Sequence, residues 1–286
     1  EAVGAAGFAE SQGDAAFALQ PGAIANLVGN PRTSHVELAR SIRESLPPEI
    51  LSRVDDPGRA VGVLWSLLLD PDAEVHKNQL KVLAQSLGPR HAEVAQAQFE
   101  RIAALHALQR LPLLMRLFPA LRRLPRADRD RLLAAIDQVA RADGRLSVYE
   151  YALARLAQQN LADQPARGRP ARELKLSDVT DELQTVFAVL AQHGSDDLTE
   201  ARRAYEFGMS KLLPRERPDF RSVADWVTEL DGALARLDQL SAPAKEALVE
   251  ALVRTISHDN SLTVGEAELL RVICAMIHCP LPPIVD

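Results

Sequence analysis

One layout of residues occurs twice in this chain, and it restricts the fold more than any other feature. "DGRLSVYEYALARL" (143–156) and "DNSLTVGEAELLRV" (259–272) lie 116 positions apart and agree at six of fourteen places. The identities are Asp143/Asp259, Leu146/Leu262, Val148/Val264, Glu150/Glu266, Leu153/Leu269 and Arg155/Arg271. Gly144/Asn260 pairs the two residue types that best tolerate the left-handed conformation ending a helix. Ser147-x-x-Glu150 and Thr263-x-x-Glu266 have the spacing of a capping box, in which the hydroxyl and the glutamate each satisfy an orphan amide. The preceding segments match too, with Leu132/Leu248 and Ile136/Leu252 apolar at helical spacing. Each copy therefore reads as helix, tight turn, hydroxyl cap, helix.

The rest of the chain follows the same rule. Ala, Leu and Arg dominate and aromatics are only 4%, a mixture that loses little on entering helices. Alternating apolar and polar residues are nowhere sustained, so the expected class is all-α, as stacked helical hairpins. Helical pattern fills about 89–111, and then 177–194, 196–212, 222–239, 242–258 and 263–278. Upstream, Ser34 to Glu37 forms a further capping box, with its helix broken at Pro47-Pro48. Asp56-Pro57 and Asp70-Pro71 read as starts in which the acid caps and proline takes the first position. Prolines at 112, 119 and 125 require kinks or restarts. The expected organisation is a weakly ordered lead-in (1–22), an N-terminal helical subdomain (23–105), a first repeat unit (106–164), a linker (165–176) and a second repeat unit (177–286).

Several function classes are disfavoured by composition. A net charge of −6 is the wrong field for wholesale nucleic-acid binding. No stretch approaches the roughly 20 apolar residues of a spanning helix, and the first residues do not read as a signal peptide. With no initiator Met, the sequence suggests a piece of a longer protein. Cys274 and Cys279, the only two cysteines, cannot build a disulfide framework and suit a reducing compartment. With His278 they offer three zinc ligands, but a fourth is not evident, and a buried helix-end cysteine is the simpler reading.

The boxes admit a cation reading as well as an architectural one. Asp143 with Glu150, and Asp259 with Glu266, place acids seven residues apart across a turn, where a hard divalent ion would find oxygen ligands. An EF-hand is excluded, because its twelfth position holds Ala154 in one copy and Leu270 in the other. Caps and turns need no ion and are preferred.

Arg110, Arg116, Arg122, Arg123 and Arg126, continuing to Arg129 and Arg131, make the most one-sided charge cluster, interleaved with Leu113, Leu114, Leu117, Phe118 and Leu121. A partner or an anionic membrane surface is one reading. A buried leucine stripe with solvated arginines is the other, and the simpler.

At these residues the chain resembles known proteins. "ADGRLSVYEY" and "HDNSLTVGEAELLRVICAMIHCPLPP" are similar to the TerB-like (tellurite-resistance-like) helical fold, in two copies. "LVGNPRTSHVELARSIRESLPPEI", "VLWSLLLDPDAEVHKNQLKVLA" and "LPLLMRLFPALRRLPRADRDRLLAAIDQVARADGRLSVYEYALARL" resemble the region that follows the protease domain in bacterial membrane zinc metallopeptidases of the HtpX and CAAX-prenyl-protease kind. The resemblance runs over about 22–286. It implies a non-catalytic interaction or regulatory extension on the cytoplasmic side of the inner membrane. Its partners would be the protease domain, protein substrates or regulators, and the membrane surface, and it would bind no nucleic acid.

That family's catalysis needs H-E-x-x-H, in which two histidines bind zinc and the glutamate activates water. None of the seven histidines here lies in such a motif, so zinc is expected upstream, and no catalytic residue or cofactor is expected in this chain. The alternative is a stand-alone TerB-like sensor that binds a divalent metal or small ligand at its boxes. An independent hydrolase has no motif to support it.

Overall fold

A computed structural model describes residues 47–52, 54–163, 173–216, 218–259 and 263–279. The lead-in over 1–22, the Ser34–Glu37 box, residues 165–172 of the linker and Asn260 lie outside these residues. The described chain is all-α, and its only extended pairing is an isolated bridge between Leu174 and Leu240. No helix among the described residues is long and apolar enough to cross a membrane. Contacts divide the chain into two compact units, one within Arg40–Ala166 and the other within Arg167–Asp286.

The first unit holds α1 (Pro48–Leu51), α2 (Pro57–Leu68), α3 (Ala73–Leu87), α4 (Pro89–Ala103), α5 (Ala107–Leu121), α6 (Arg126–Ala140) and α7 (Val148–Leu161). Its centre is α2, which is buried from Gly62 to Leu68 and packs on α4, α5 and α6. A helix that is apolar on nearly every side belongs inside a bundle. Trp65, Leu64 and Leu68 are essentially inaccessible there, each contributing roughly 1.5–3 kcal/mol by leaving water.

The second unit holds α8 (Thr180–Gly194), α9 (Leu198–Leu212), α10 (Trp226–Leu237), α11 (Ala242–Ile256) and α12 (Val264–Met276), with a 3-10 turn at Leu176–Asp178. Its buried centre is α8, which touches α9, α10, α11 and α12.

The helix pairings of the units correspond. In the first, α2 packs on α5 and α6, α3 on α6, α5 on α7, and α6 on α7. In the second, α8 packs on α10 and α11, α9 on α11, α10 on α12, and α11 on α12. The units differ in the packing of α8 on α12, which α2 and α7 do not match, and in α4, which lies against both α2 and α3. Where α8 and α9 pack directly, the first unit has this additional helix.

Local details depart from the sequence reading in three places. Asp56 caps α2 as expected, accepting from Arg59 N at 2.8 Å with Pro57 in the first position. Asp70 does not cap α3; that helix starts two residues later, capped by Asp72, which accepts from Glu74 N and Val75 N. Pro71 thus precedes the cap, and Asp70 instead accepts from Asp72 N at 2.7 Å. The pattern over 89–111 is two helices, separated at Ala104–His106, where Gln109 Oε1 accepts from His106 N at 3.0 Å. Finally, α5 continues through Pro112 and Pro119 without a restart at either, while Pro125 does mark a restart at the N-cap of α6. Leu111, Leu113, Leu114, Leu117 and Leu121 are all fully buried, so tertiary burial outweighs the roughly 3 kcal/mol that a helix-interior proline costs.

Candidate functional site

Both capping boxes form. Ser147 Oγ accepts from Glu150 N at 3.2 Å, and Glu150 Oε2 accepts from Ser147 N at 3.0 Å and from Ser147 Oγ at 2.8 Å. Thr263 Oγ1 accepts from Glu266 N at 3.2 Å, while Glu266 Oε2 accepts from Thr263 N at 2.9 Å and Thr263 Oγ1 at 3.0 Å. The turn ahead of the first box uses Gly144 at φ 77, where a side chain would be strained. Asp143 Oδ1 accepts from Arg145 N at 2.9 Å, so this acid closes an Asx turn. Asp259 lies exposed in the corresponding turn of the second unit.

The glutamates go further than a surface box requires. Glu150 is 7% exposed and Glu266 5%, so each carboxyl is turned into its unit. In the first, Gln79 bridges the two ends of the site: its Nε2 donates to Glu150 Oε1 at 3.0 Å, and its Oε1 accepts from Asp70 N at 2.7 Å. The carboxylate is thereby connected to the first amide beyond the C-cap of α2. His76 shares this corner, its Nδ1 lying 2.9 Å from Asp70 O and its Nε2 2.7 Å from Gln96 Oε1.

In the second unit the carboxylate meets the end of α8 directly. A Cβ placed on Gly194, the last residue of α8, would come within 2.9 Å of Glu266 Cδ and closer still to its Oε1. With any side chain there, the Glu266 carboxyl would have to shift.

Burial dominates the electrostatics. It pushes Glu150 up to about 7, held back by the Ser147 hydrogen bonds and raised further by the charges of Asp143 and Asp70. Glu266 is likewise pushed up to about 7 by burial, against the Thr263 hydrogen bonds and with help from Asp259. Burial also raises Asp70, with its Asp72 hydrogen bond opposing. In the first unit three acids therefore feel one another, but the oxygens of Glu150 are directed at donors inside the fold. Among the described residues no group of three or more His, Cys, Asp or Glu side chains is arranged to hold a metal ion.

The arginine cluster is largely drawn onto backbone carbonyls. Arg110 Nη2 donates to Ala103 O at 3.2 Å, the last carbonyl of α4, and its guanidinium lies over the Tyr149 ring. Arg122 donates to Asn160 O at 2.8 Å and Oδ1 at 3.1 Å, and Arg123 donates to Asp55 O. Arg129 spans Leu124 O at 2.9 Å and Leu161 O at 3.2 Å and pairs with Asp163. Arg126 pairs with Asp163 at 3.2 Å, while Arg116 is exposed. Carbonyls orphaned at helix ends accept from such cations favourably. An open groove of about 420 Å³ between α6 and α7 carries Arg126, Asp130, Asp137, Arg155 and Asp163, a mixed-charge rim.

Cys274 is fully buried in α12, as a helix-end cysteine should be. His278 directs Nδ1 at Asp238 Oδ1, 2.9 Å away.

Sequence reading missed Gln79 and Gly194. Gln79 lies in a polar stretch of α3 with no local signal, although a 1% exposed glutamine needs partners. Gly194 ends its helix, where glycine is ordinary. No protein-family model matches the chain, and no curated protein and no solved structure matches it.

Proposed function

We propose that the chain is a non-catalytic helical interaction or regulatory module, belonging to a membrane zinc metallopeptidase whose H-E-x-x-H helix is encoded upstream. The observation that carries the reading is where the box acids are spent. Glu150 and Glu266 accept hydrogen bonds from their own caps, and Glu150 also from Gln79. Groups committed in this way organise a scaffold and do not present a reactive carboxylate to a substrate. The TerB-like and metallopeptidase-like phrases supply the parent, and the absence of H-E-x-x-H from the sequence assigns the chemistry elsewhere in it.

The test is the coding sequence ahead of residue 1. Spanning helices and an H-E-x-x-H in the same reading frame are expected, together with co-purification of the module and the protease domain from detergent extracts. A separately initiated gene product that starts near residue 1 would overturn the proposal in favour of a stand-alone module.

A further inference from the structure

The end of α12 brings the chain's two cysteines together. Ile277 is the C-cap, and His278 follows at φ 58, the left-handed position normally given to glycine. His278 N donates to Ala275 O at 3.0 Å and Cys279 N to Cys274 O at 2.8 Å. Those bonds define a Schellman motif, whose geometry sets the residue two beyond the cap against the residue three before it. Here both are cysteines.

The 2.8 Å bond also limits their separation. Adding standard backbone lengths on either side leaves the two Cα atoms at most about 6.7 Å apart. That is within the range of roughly 4.4–6.8 Å that disulfides span. Burial pushes the Cys274 thiol up, and a charge on Cys279 raises it further.

The corner is fixed from three helices. Lys245, in the first turn of α11, donates to Ile277 O at 2.9 Å and to Asp238 Oδ1 at 2.8 Å. Asp238, at the end of α10, also takes His278 Nδ1. A histidine with positive φ is uncommon, and these contacts hold it there.

We propose that Cys274 and Cys279 form a redox-closable thiol pair, a site of reversible oxidation that locks the C-terminal turn of α12. Cys279 is the attacking thiol, being partly exposed where Cys274 is sealed in the core. With a peroxide as oxidant, the Cys279 thiolate attacks one oxygen, the O–O bond breaks, and hydroxide leaves; the sulfenic acid remains. The Cys274 thiolate then attacks that sulfur and expels the hydroxyl, so two thiols and one peroxide give one disulfide and two waters. Burial raises the Cys279 thiol, the Lys245 ammonium draws it down, and Asp238 and Glu246 push it up. Closure is therefore slow at neutral pH and accelerates about tenfold per pH unit while the thiolate is the minor form.

The experiment uses the purified chain with hydrogen peroxide, followed by alkylation in denaturant and mass spectrometry of the tryptic peptide beginning at Val272. The expected product is that peptide lacking two hydrogens and unalkylated at both cysteines, in a monomer, and restored by dithiothreitol. Cys279→Ser should leave Cys274 alkylatable after the same exposure. Lys245→Gln should give the same disulfide several-fold more slowly at pH 8, with the rate profile displaced to higher pH. Two alkylatable thiols after oxidation, Cys279-linked dimers, or closure only in denaturant would overturn the proposal. An unchanged rate in Lys245→Gln would remove Cys279 from the attacking role.

Discussion

Replacing Gly194 by alanine is expected to destabilise the second unit, against the ordinary sign of that substitution. At a helix end, Gly→Ala gains roughly 0.5–1 kcal/mol from the lower freedom of the unfolded chain and better helix propensity. Here the new Cβ would stand 2.9 Å from Glu266 Cδ, nearer than real Cβ contacts allow, and a tight 3.3 Å from its Cγ. The carboxyl must leave, and with it go the bonds from Thr263 N and Thr263 Oγ1 at 2.9 and 3.0 Å. Losing these two bonds costs roughly 1–3 kcal/mol, at about 0.5–1.5 kcal/mol each. The net is about 1–2 kcal/mol of destabilisation, once the helix gain is subtracted.

The decisive measurement is a double-mutant cycle. In a Glu266→Ala background the obstruction is absent, so Gly194→Ala should stabilise by about 0.5 kcal/mol. The coupling is then about 2 kcal/mol, well outside the 0.3–0.5 kcal/mol within which independent sites add. Trp226 reports this unit, since its ring packs edge-on at 4.7 Å from His193, the residue before Gly194. Urea unfolding followed by Trp226 fluorescence, in chains that all carry Trp65→Phe, isolates the transition. Stabilisation by Gly194→Ala in the parent, or a coupling within the additive range, would refute the close approach of Glu266 to α8.

Three further outcomes are expected. Each box glutamate is raised from 4.5 to about 7, so as pH rises the unfolded chain loses its proton first; stability contributed by the neutral form falls between about pH 4.5 and 7, on the order of 3 kcal/mol per glutamate, and stays low above. Urea midpoints across that window should therefore flatten in Glu150→Gln and Glu266→Gln, and unchanged slopes in both would count against burial as the cause. Gln79→Leu strands the Asp70 amide and removes a donor from Glu150; a loss of roughly 1–3 kcal/mol is expected by urea titration, with the pH window extended upward, and a neutral effect would break the proposed bridge. Thr263→Ala should cost about 1 kcal/mol equally with or without millimolar calcium, magnesium or manganese, and a cation-dependent rise in melting temperature abolished by Asp259→Ala or Asp143→Ala would restore the cation reading.

The elements of this fold were legible because their signals are local. Apolar spacing placed α8 to α12 within a few residues of their observed ends, and hydroxyl-x-x-Glu located both boxes. Misreadings arose where two local signals competed. At Asp70-Pro71-Asp72 either acid suited the cap, and Asp72 took it because its side chain reaches Glu74 N and Val75 N. Pro112 and Pro119 looked like breaks, but the leucines around them are worth more buried than the lost backbone bonds. The arginines formed one block in sequence, yet the carbonyls they serve lie 5 to 68 residues away along the chain, a separation no periodicity reveals.

The same limit applies most strongly inside the boxes, where the two units solve one problem differently. A carboxyl is brought from the first turn of one helix toward the C-terminal end of a buried central helix, α2 or α8. Such an end carries partial negative charge from its free carbonyls, so an acid there is unfavourable unless it is spaced off, given donors or protonated. The first unit inserts Gln79, whose amide presents N–H to Glu150 and C=O to the amide of Asp70. The second instead omits a side chain, at Gly194, so that the carboxyl fits against the helix end. The glutamine lies inside α3 and the glycine ends α8, which are not matching helices of the two units. They correspond only through what they do for the acid. The box glutamates are therefore devices that tie a surface turn to the centre of each unit, and it is that internal use, repeated by different means, that argues for scaffold before chemistry.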